Sequence, residues 1–185
     1  GGNLCSGLTL FNNQINGWSH RDMTVDKLEK LASMVLGTCR KKKLKVVTAE
    51  SCTGGLIAGL LTEIPGSSEV VERGFITYSN QAKHEMLDVP IEYLNTFGAV
   101  SEEVALAMAE GALVRSNAQL AVSVTGIAGP GGGSAEKPVG LVHMVISHKG
   151  INTKQFCDIF EGNRSEIRSK TVEVALERLS SVISN

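Results

Sequence analysis

Apolar positions along this 185-residue chain recur with two periods, and the switching between them predicts helices and strands in turn. From Val25, residues Leu28, Leu31, Val35 and Leu36 keep helical spacing and mark an amphipathic helix ending near Lys41. Residues 44–49, rich in Val, Leu and Thr, read as a short strand. Leu56, Ile57, Leu60 and Leu61 then restore the helical period over about 53–63, until Pro65-Gly66 breaks it. Gly74 to Tyr78 reads as a second strand, Asn80 starts a short helix carrying Lys83, and Pro90 opens another. Ser101 is a good N-cap, with Glu102 and Glu103 in the first turn, where the helix dipole favours acids. Val104, Met108 and Ala112 give that helix one apolar row, and Ala105, Ala109 and Leu113 a second. Leu120 to Val124 is nearly all apolar, as expected of a central strand covered on both faces. Strands at about 139–147 and 153–160 form a hairpin around Lys149-Gly150. The last helix starts at Asn163, which makes a capping box with Glu166, and its stripe is Val172, Ala175, Leu176, Leu179 and Val182. The alternation predicts an α/β fold: a three-layer α/β/α sandwich with a mixed, mostly parallel sheet.

Composition narrows the class. With 42% hydrophobic residues, 20% charged residues and a net charge of −1, the chain is globular, and it lacks the basic face of a nucleic-acid binder. The one basic run, Arg40 to Lys43, closes a helix and suits its C-terminal dipole. Four scattered cysteines, at 5, 39, 52 and 157, form no metal-ligand spacing and no disulfide framework. No segment is apolar for long enough to span a bilayer and no signal-peptide pattern opens the chain, so a reduced, cytoplasmic setting is expected. Residues 1–22 are Gly/Asn/Ser-rich and read as an arm, a linker or an expression remnant, and they include Trp18; residues 23–185 form the one domain.

Four groups of residues could carry chemistry. Ser51 and Cys52 sit where a strand gives way to a helix, a place where unpaired N–H groups and glycines let a ligand approach the backbone. Either could be a nucleophile, but neighbours at a strand end point oppositely, so only one can serve. An ordinary strand-to-helix turn is the plain alternative. The four histidines offer little: His20 lies in the arm, His143 and His148 lie on strands, and His84 directly follows Lys83. Tyr78 and Lys83, a strand end and one helical turn beyond it, can converge on a pocket, where burial would make the Lys a general base. A structural Tyr beside a solvated Lys is the competing reading. The loop from Thr125 through Gly126, Gly129, Gly131 and Gly133 follows the central strand, and is either bare backbone at a ligand-binding edge or a flexible lid. Arg164 opens the last helix, where a cation is unfavourable unless an anion such as phosphate joins it, or Glu166 compensates.

Four motifs in this order, Ala49-Glu50-Ser51-Cys52-Thr53-Gly54-Gly55, Gly74 to Asn80 with Lys83, Gly98-Ala99-Val100-Ser101 and Thr125 to Gly133, resemble the CinA C-terminal domain family. The resemblance runs from about Val25 to the C-terminus. Its characterised members are bacterial nicotinamide-nucleotide amidases, or NMN deamidases, and many carry a molybdopterin-binding-like domain upstream. It implies hydrolysis of the carboxamide of nicotinamide mononucleotide, with the family's catalytic serine, lysine and tyrosine at Ser51, Lys83 and Tyr78. Backbone N–H groups near Thr53 and Gly54 are the expected oxyanion donors. Gly55, Thr125, Gly126, Gly129, Gly131 and Arg164 are the expected substrate contacts, with Arg164 on the phosphate. A small pyridine mononucleotide is the expected ligand and a homo-oligomer, a dimer, the expected assembly; no cofactor, metal, membrane or nucleic acid is called for. A cysteine hydrolase built on Cys52, an amidase of a related small amide, and a non-catalytic nucleotide-binding module are the alternatives.

Overall fold

The structure, a computed structural model, describes residues 20–151 and 153–184. Most of the expected arm, Trp18 included, lies outside the described residues. The elements follow in the order α1 (His20–Lys42), β1 (Val46–Glu50), α2 (Leu56–Glu63), β2 (Val71–Ile76), α3 (Asn80–Leu87), α4 (Ile91–Thr96), α5 (Glu102–Val114), β3 (Leu120–Gly126), β4 (Leu141–His148), β5 (Lys154–Ile159) and α6 (Arg164–Ser184). A short 3₁₀ turn, Ser67–Glu69, precedes β2.

The five strands lie in the order β2-β1-β3-β4-β5. β1 pairs in parallel with β2 and β3, while the β3–β4 and β4–β5 pairs are antiparallel. Four strands thus point one way and β4 alone runs against them, the mixed sheet expected from a parallel core closed by a hairpin. Helices α1, α2 and α6 cover one face, packing Val35, Leu36, Ile57, Leu61, Leu176 and Leu179 against Val46, Val122 and Met144. Helices α3, α4 and α5 cover the other, where Leu87, Leu94, Val104 and Met108 meet Val47, Ala49 and Ala121. The alternation of β1 is therefore strict, with Val46 facing α1 and α2, and Val47 and Ala49 facing α5.

Several boundaries differ from the sequence reading. The first helix begins at His20; Val35 and Leu36 of its expected stripe are buried, joined by Ala32 and Cys39, while Leu31 packs half-buried against the core and Leu28 is half-buried. The strand expected at 74–78 is Val71–Ile76, which leaves Tyr78 beyond its end. The helix expected from residue 53 starts at Leu56, because Gly54 and Gly55 have φ of +60° and +99°, left-handed values that no α-helix contains. Ser51 to Gly55 instead form a tight turn ahead of the helix.

Topology decides where the site can be. From β1 the chain crosses one face through α2 to β2, then returns over the other face through α3–α5 to β3. Between β1 and β3 the strand order reverses, and the crevice beyond their carboxyl ends is where open α/β sheets bind ligands. Glu50 lies opposite both Ile76 and Val124, so Ser51, Thr77 and Thr125 emerge side by side at that edge.

Candidate active site

The turn after β1 is built around Glu50. Its carboxylate is 1% exposed and would cost several kcal/mol if left without donors. It receives four: the Thr53 hydroxyl (2.6 Å) and the backbone N–H groups of Gly55 (3.0 Å), Ile57 (3.1 Å) and Ala58 (2.9 Å). An acid thus satisfies the orphan N–H groups at the start of α2, where the helix dipole favours negative charge. On the other side of α2's approach, Arg168 donates from Nε to the Cys52 carbonyl (3.1 Å) and from Nη2 to the Thr53 carbonyl (2.9 Å).

Ser51 faces the α3 side. Its Oγ lies 3.0 Å from the Nζ of Lys83, a fully buried amine at 1% exposure. Nζ also donates to the backbone carbonyls of Thr77 (2.8 Å) and, more weakly, Tyr78 (3.4 Å). All three acceptors are uncharged, so burial dominates and pushes the amine down from 10.5 to about 8. Two local features put Lys83 there. Ser79 caps α3 by accepting from the N–H of Ala82 (3.0 Å). Gly111 in α5 lets α3 come close, since a Cβ at that position would sit 1.9 Å from the Leu87 carbonyl oxygen.

Cys52 is buried and packs with the α1/α2/α6 side of the core, and its thiol is pushed up to about 11 by that burial. It is therefore a thiol near neutrality, and thiolate rather than thiol is the nucleophile. Cys39 and Cys157 are likewise free.

Tyr78 stands at the rim, 59% exposed, and its phenol oxygen accepts from Arg164 Nη2 at 2.9 Å. The expected meeting of the phenol with Lys83 is not present; the backbone carbonyl of Tyr78 reaches the amine, because the residue lies past β2 rather than in it. Arg164 also donates from Nη1 to the Gly129 carbonyl (2.9 Å), tying the glycine-rich loop to the tyrosine. Its own helix end is closed by the predicted capping box: Asn163 Oδ1 accepts from Ser165 and Glu166 N–H, and Glu166 accepts from Asn163 N–H (2.7 Å). The conflict of a cation at a positive helix end is thus eased within the protein, since the guanidinium reaches away to two neutral oxygens.

Ser51, Cys52, Tyr78, Lys83, Thr125, Gly126 and Arg164 line one cavity of about 180 Å³, joined by Ala99, Val100 and Ala128. Thr125 is buried and donates to the Ala99 carbonyl (2.7 Å), which holds the 98–100 loop over the site. Gly126 lines the cavity, yet its missing Cβ serves packing: that atom would lie 2.7 Å from the Leu141 carbonyl oxygen and the Val142 side chain. Gly129 does not line the cavity, and its carbonyl serves to hold Arg164. Gly131 has open space around it, and Gly55 lies behind the turn against Ile76, so neither lines this cavity. Of the two expected oxyanion donors, Gly54 N–H is taken by the Ser51 carbonyl (3.1 Å). Gly55 N–H is on Glu50, and Thr53, the other expected donor, is fully buried and does not line the cavity, whereas Cys52 does.

Sequence reasoning left Glu50 without a role and passed over Arg168. The spacing of Arg164 and Arg168, four apart on one helix face, was the available signal for the second.

Comparison with known proteins agrees with this architecture. The family model described as "CinA C-terminal domain" matches residues 28–183. A putative competence-damage inducible protein of Caldicellulosiruptor bescii is 53% identical over 149 residues, 80% of this chain and 36% of that protein. A CinA-like protein of Akkermansia muciniphila is 51% identical over 139 residues, 75% of this chain and 34% of that one. The chain thus spans about a third of the length of these curated relatives. Among solved structures, the competence/damage inducible protein CihA of Agrobacterium tumefaciens matches with a TM-score of 0.83 and 55% identity, over 86% of this chain and 96% of that one. A competence damage-inducible protein A from Klebsiella pneumoniae matches with a TM-score of 0.82 and 32% identity, over 85% and 98%. A five-stranded mixed sheet of this order, and a match over nearly the whole described chain, mean that the protein belongs to the CinA C-terminal domain family.

Proposed function

We propose that the chain is a serine amidohydrolase of the nicotinamide-nucleotide amidase type, converting nicotinamide mononucleotide to nicotinate mononucleotide and ammonia. One observation carries the reading: a fully buried lysine, lowered to about 8, lies 3.0 Å from the hydroxyl of Ser51. A binding module has no use for that arrangement, which leaves an amine destabilised in its charged form. A general base needs it.

In the reaction, neutral Lys83 takes the Ser51 proton as Oγ attacks the carboxamide carbon, and the oxygen of the tetrahedral intermediate becomes an anion. The backbone N–H of Cys52, the residue of the turn that lines the cavity beside Ser51, is the donor for that oxyanion. Protonated Lys83 returns its proton to the amide nitrogen, the C–N bond breaks and ammonia leaves. Water, deprotonated by Lys83, then attacks the acyl-serine and releases the carboxylate. The pyridinium ring withdraws electrons from the amide, and its positive charge helps keep Lys83 neutral. Tyr78 contributes its backbone carbonyl to the placement of Lys83 and its phenol to the placement of Arg164.

The cavity of about 180 Å³ is smaller than the roughly 300–1,000 Å³ of sites that enclose a drug-sized ligand. It suits the carboxamide-bearing ring, with the ribose phosphate lying outward toward Arg164 and Tyr78. The N–H groups of Ser165 and Glu166 are already used in the cap, so the phosphate rests on the guanidinium. A Cys52 hydrolase is disfavoured by the raised thiol. Ammonia release from nicotinamide mononucleotide by the purified protein tests the reading; binding without turnover would replace the enzyme with a module.

A further inference from the structure

Resting on the amidase reading above, we propose that Lys137 is a positioning residue: it fixes the cavity wall formed by Ala99 and Val100, and so holds the amide-bearing ring beside Ser51. Both residues line the cavity of Ser51 and Lys83, and both lie in irregular backbone between α4 and α5. No helix or strand ladder shapes that wall, so its carbonyls must find partners among side chains or water.

Every carbonyl from Phe97 to Val100 is held by a side chain. Lys137 Nζ donates to those of Phe97 (2.6 Å) and Val100 (2.7 Å), Ser101 Oγ to that of Gly98 (2.9 Å), and Thr125 Oγ1 to that of Ala99 (2.7 Å). Gly98, at a φ of +75°, makes the left-handed turn between the two carbonyls that meet at the one nitrogen. Ser101 belongs to the same segment, whereas Thr125 reaches it from the end of β3 and Lys137 from the far side of the glycine-rich loop. The lysine stem is itself anchored. Its N–H donates to Ser134 Oγ (3.1 Å) and its carbonyl accepts from Ser134 N–H (2.8 Å), while Gly140 N–H on the Ile127 carbonyl (2.7 Å) closes the base of the loop. Lys137 has no salt bridge among the described residues, so its charge is directed at these two carbonyls, and charge-assisted bonds are the stronger kind.

The clasp thus joins two walls of one cavity, Ala99 and Val100 on one side and Thr125, Gly126 and Ala128 on the other. Lys137 does not line the cavity, so it acts through Val100 and not on the substrate. A space of about 180 Å³ leaves a ring little freedom, and a misplacement of about 1 Å can cost about a hundredfold in rate. Loss of Lys137 should differ in kind from loss of Arg164. Arg164 meets the phosphate, which only the mononucleotide carries, whereas a slack wall affects the ring that mononucleotide and riboside share.

The test uses Lys137→Met, which keeps the stem and removes the donors, and Lys137→Gln, which keeps one amide donor. In steady-state ammonia release, kcat/KM for nicotinamide mononucleotide should fall about tenfold to a hundredfold in the Met variant and by less in the Gln variant. The phosphate-free riboside should lose the same factor to within about twofold, and the pH midpoint set by Lys83 should not move. A lysine that served the fold alone would lower Tm and leave kcat/KM of the folded variant unchanged, and that result overturns the proposal. A loss confined to the mononucleotide would put Lys137 on the phosphate and overturns it as well. Backbone order parameters of Ala99 and Val100, measured by nitrogen relaxation without substrate, check the clasp itself. They should drop from the rigid value of about 0.85 toward about 0.6 in the Met variant, and unchanged values overturn it. If the wild-type protein releases no ammonia, the amidase reading fails by itself, and the order parameters still decide the clasp. If the Met variant does not fold, the Gln variant decides alone.

Discussion

Replacing Lys83 by Met should abolish turnover and yet stabilise the fold near neutral pH. Met keeps the unbranched stem of the buried side chain and removes the amine. In the folded protein that amine is held near 8 instead of its ordinary 10.5 by burial. At about 1.4 kcal/mol per tenfold change in proton affinity, the difference is a penalty of roughly 3 kcal/mol on the folded state wherever the unfolded chain carries a charged lysine. The sign follows from proton counts: between about 8 and 10.5 the unfolded chain binds the extra proton, so wild-type stability rises with pH across that window. Below about 8 the penalty is present in full. Met loses the bonds to Ser51 Oγ and the Thr77 carbonyl, which returns about 1–2 kcal/mol. The net gain near pH 7 is then about 1–2 kcal/mol, or roughly 2–8 °C in Tm for a domain of this size. Thermal melts of wild type and Lys83→Met in parallel at several pH values measure it, because other titrating groups cancel in the difference. The gap should shrink as pH rises above about 8 and reverse between about 9 and 10, where the remaining penalty falls below the roughly 1–2 kcal/mol of the lost bonds. A variant less stable than wild type at pH 7, or a gap that does not change with pH, would refute the claim that burial of an ionisable amine is what this site maintains against stability.

The remaining expectations concern catalysis. Ser51→Ala should remove turnover while the mononucleotide still binds by calorimetry, and Cys52→Ala should keep most of the activity; the opposite pattern would reassign the nucleophile. The rate should rise with pH through about 8 as Lys83 loses its proton, and Lys83→Arg should be nearly inactive because a guanidinium cannot give its proton up. Arg164→Ala should raise KM for the mononucleotide about tenfold to a hundredfold, as expected for the loss of a charge-assisted contact. It should do so by more than for the phosphate-free riboside, and equal losses on both would mean that Arg164 only ties Tyr78 to the glycine-rich loop.

Local order was legible in the sequence because it depends on neighbours a few residues apart. The two periods of apolar residues specified the strands and helices, Ser101 and the Asn163–Glu166 pair capped the helices expected of them, and the alternation of types specified the layered fold. Ser51 and Lys83 could be singled out as residue types at a strand end and on the next helix but one. What the sequence could not determine is how 32 positions of separation become 3.0 Å, or that the amine would be sealed from water. Those depend on the register of β1 against β2 and on the close approach of α3 to α5 at Gly111. The helix start was misplaced at residue 53 because apolar periodicity carries no sign of φ, and only the folded turn shows both glycines left-handed. Glu50 and Arg168 stayed without roles for the same reason. A carboxylate caps the helix after it and a guanidinium grips a turn 115 residues away only once α2 and α6 pack on one face of the sheet. The resemblance already favoured Ser51 over Cys52, but spacing alone could not separate two neighbours in the chain; the structure adds the layer each one faces, with Cys52 packed toward α1, α2 and α6 and Ser51 toward Lys83.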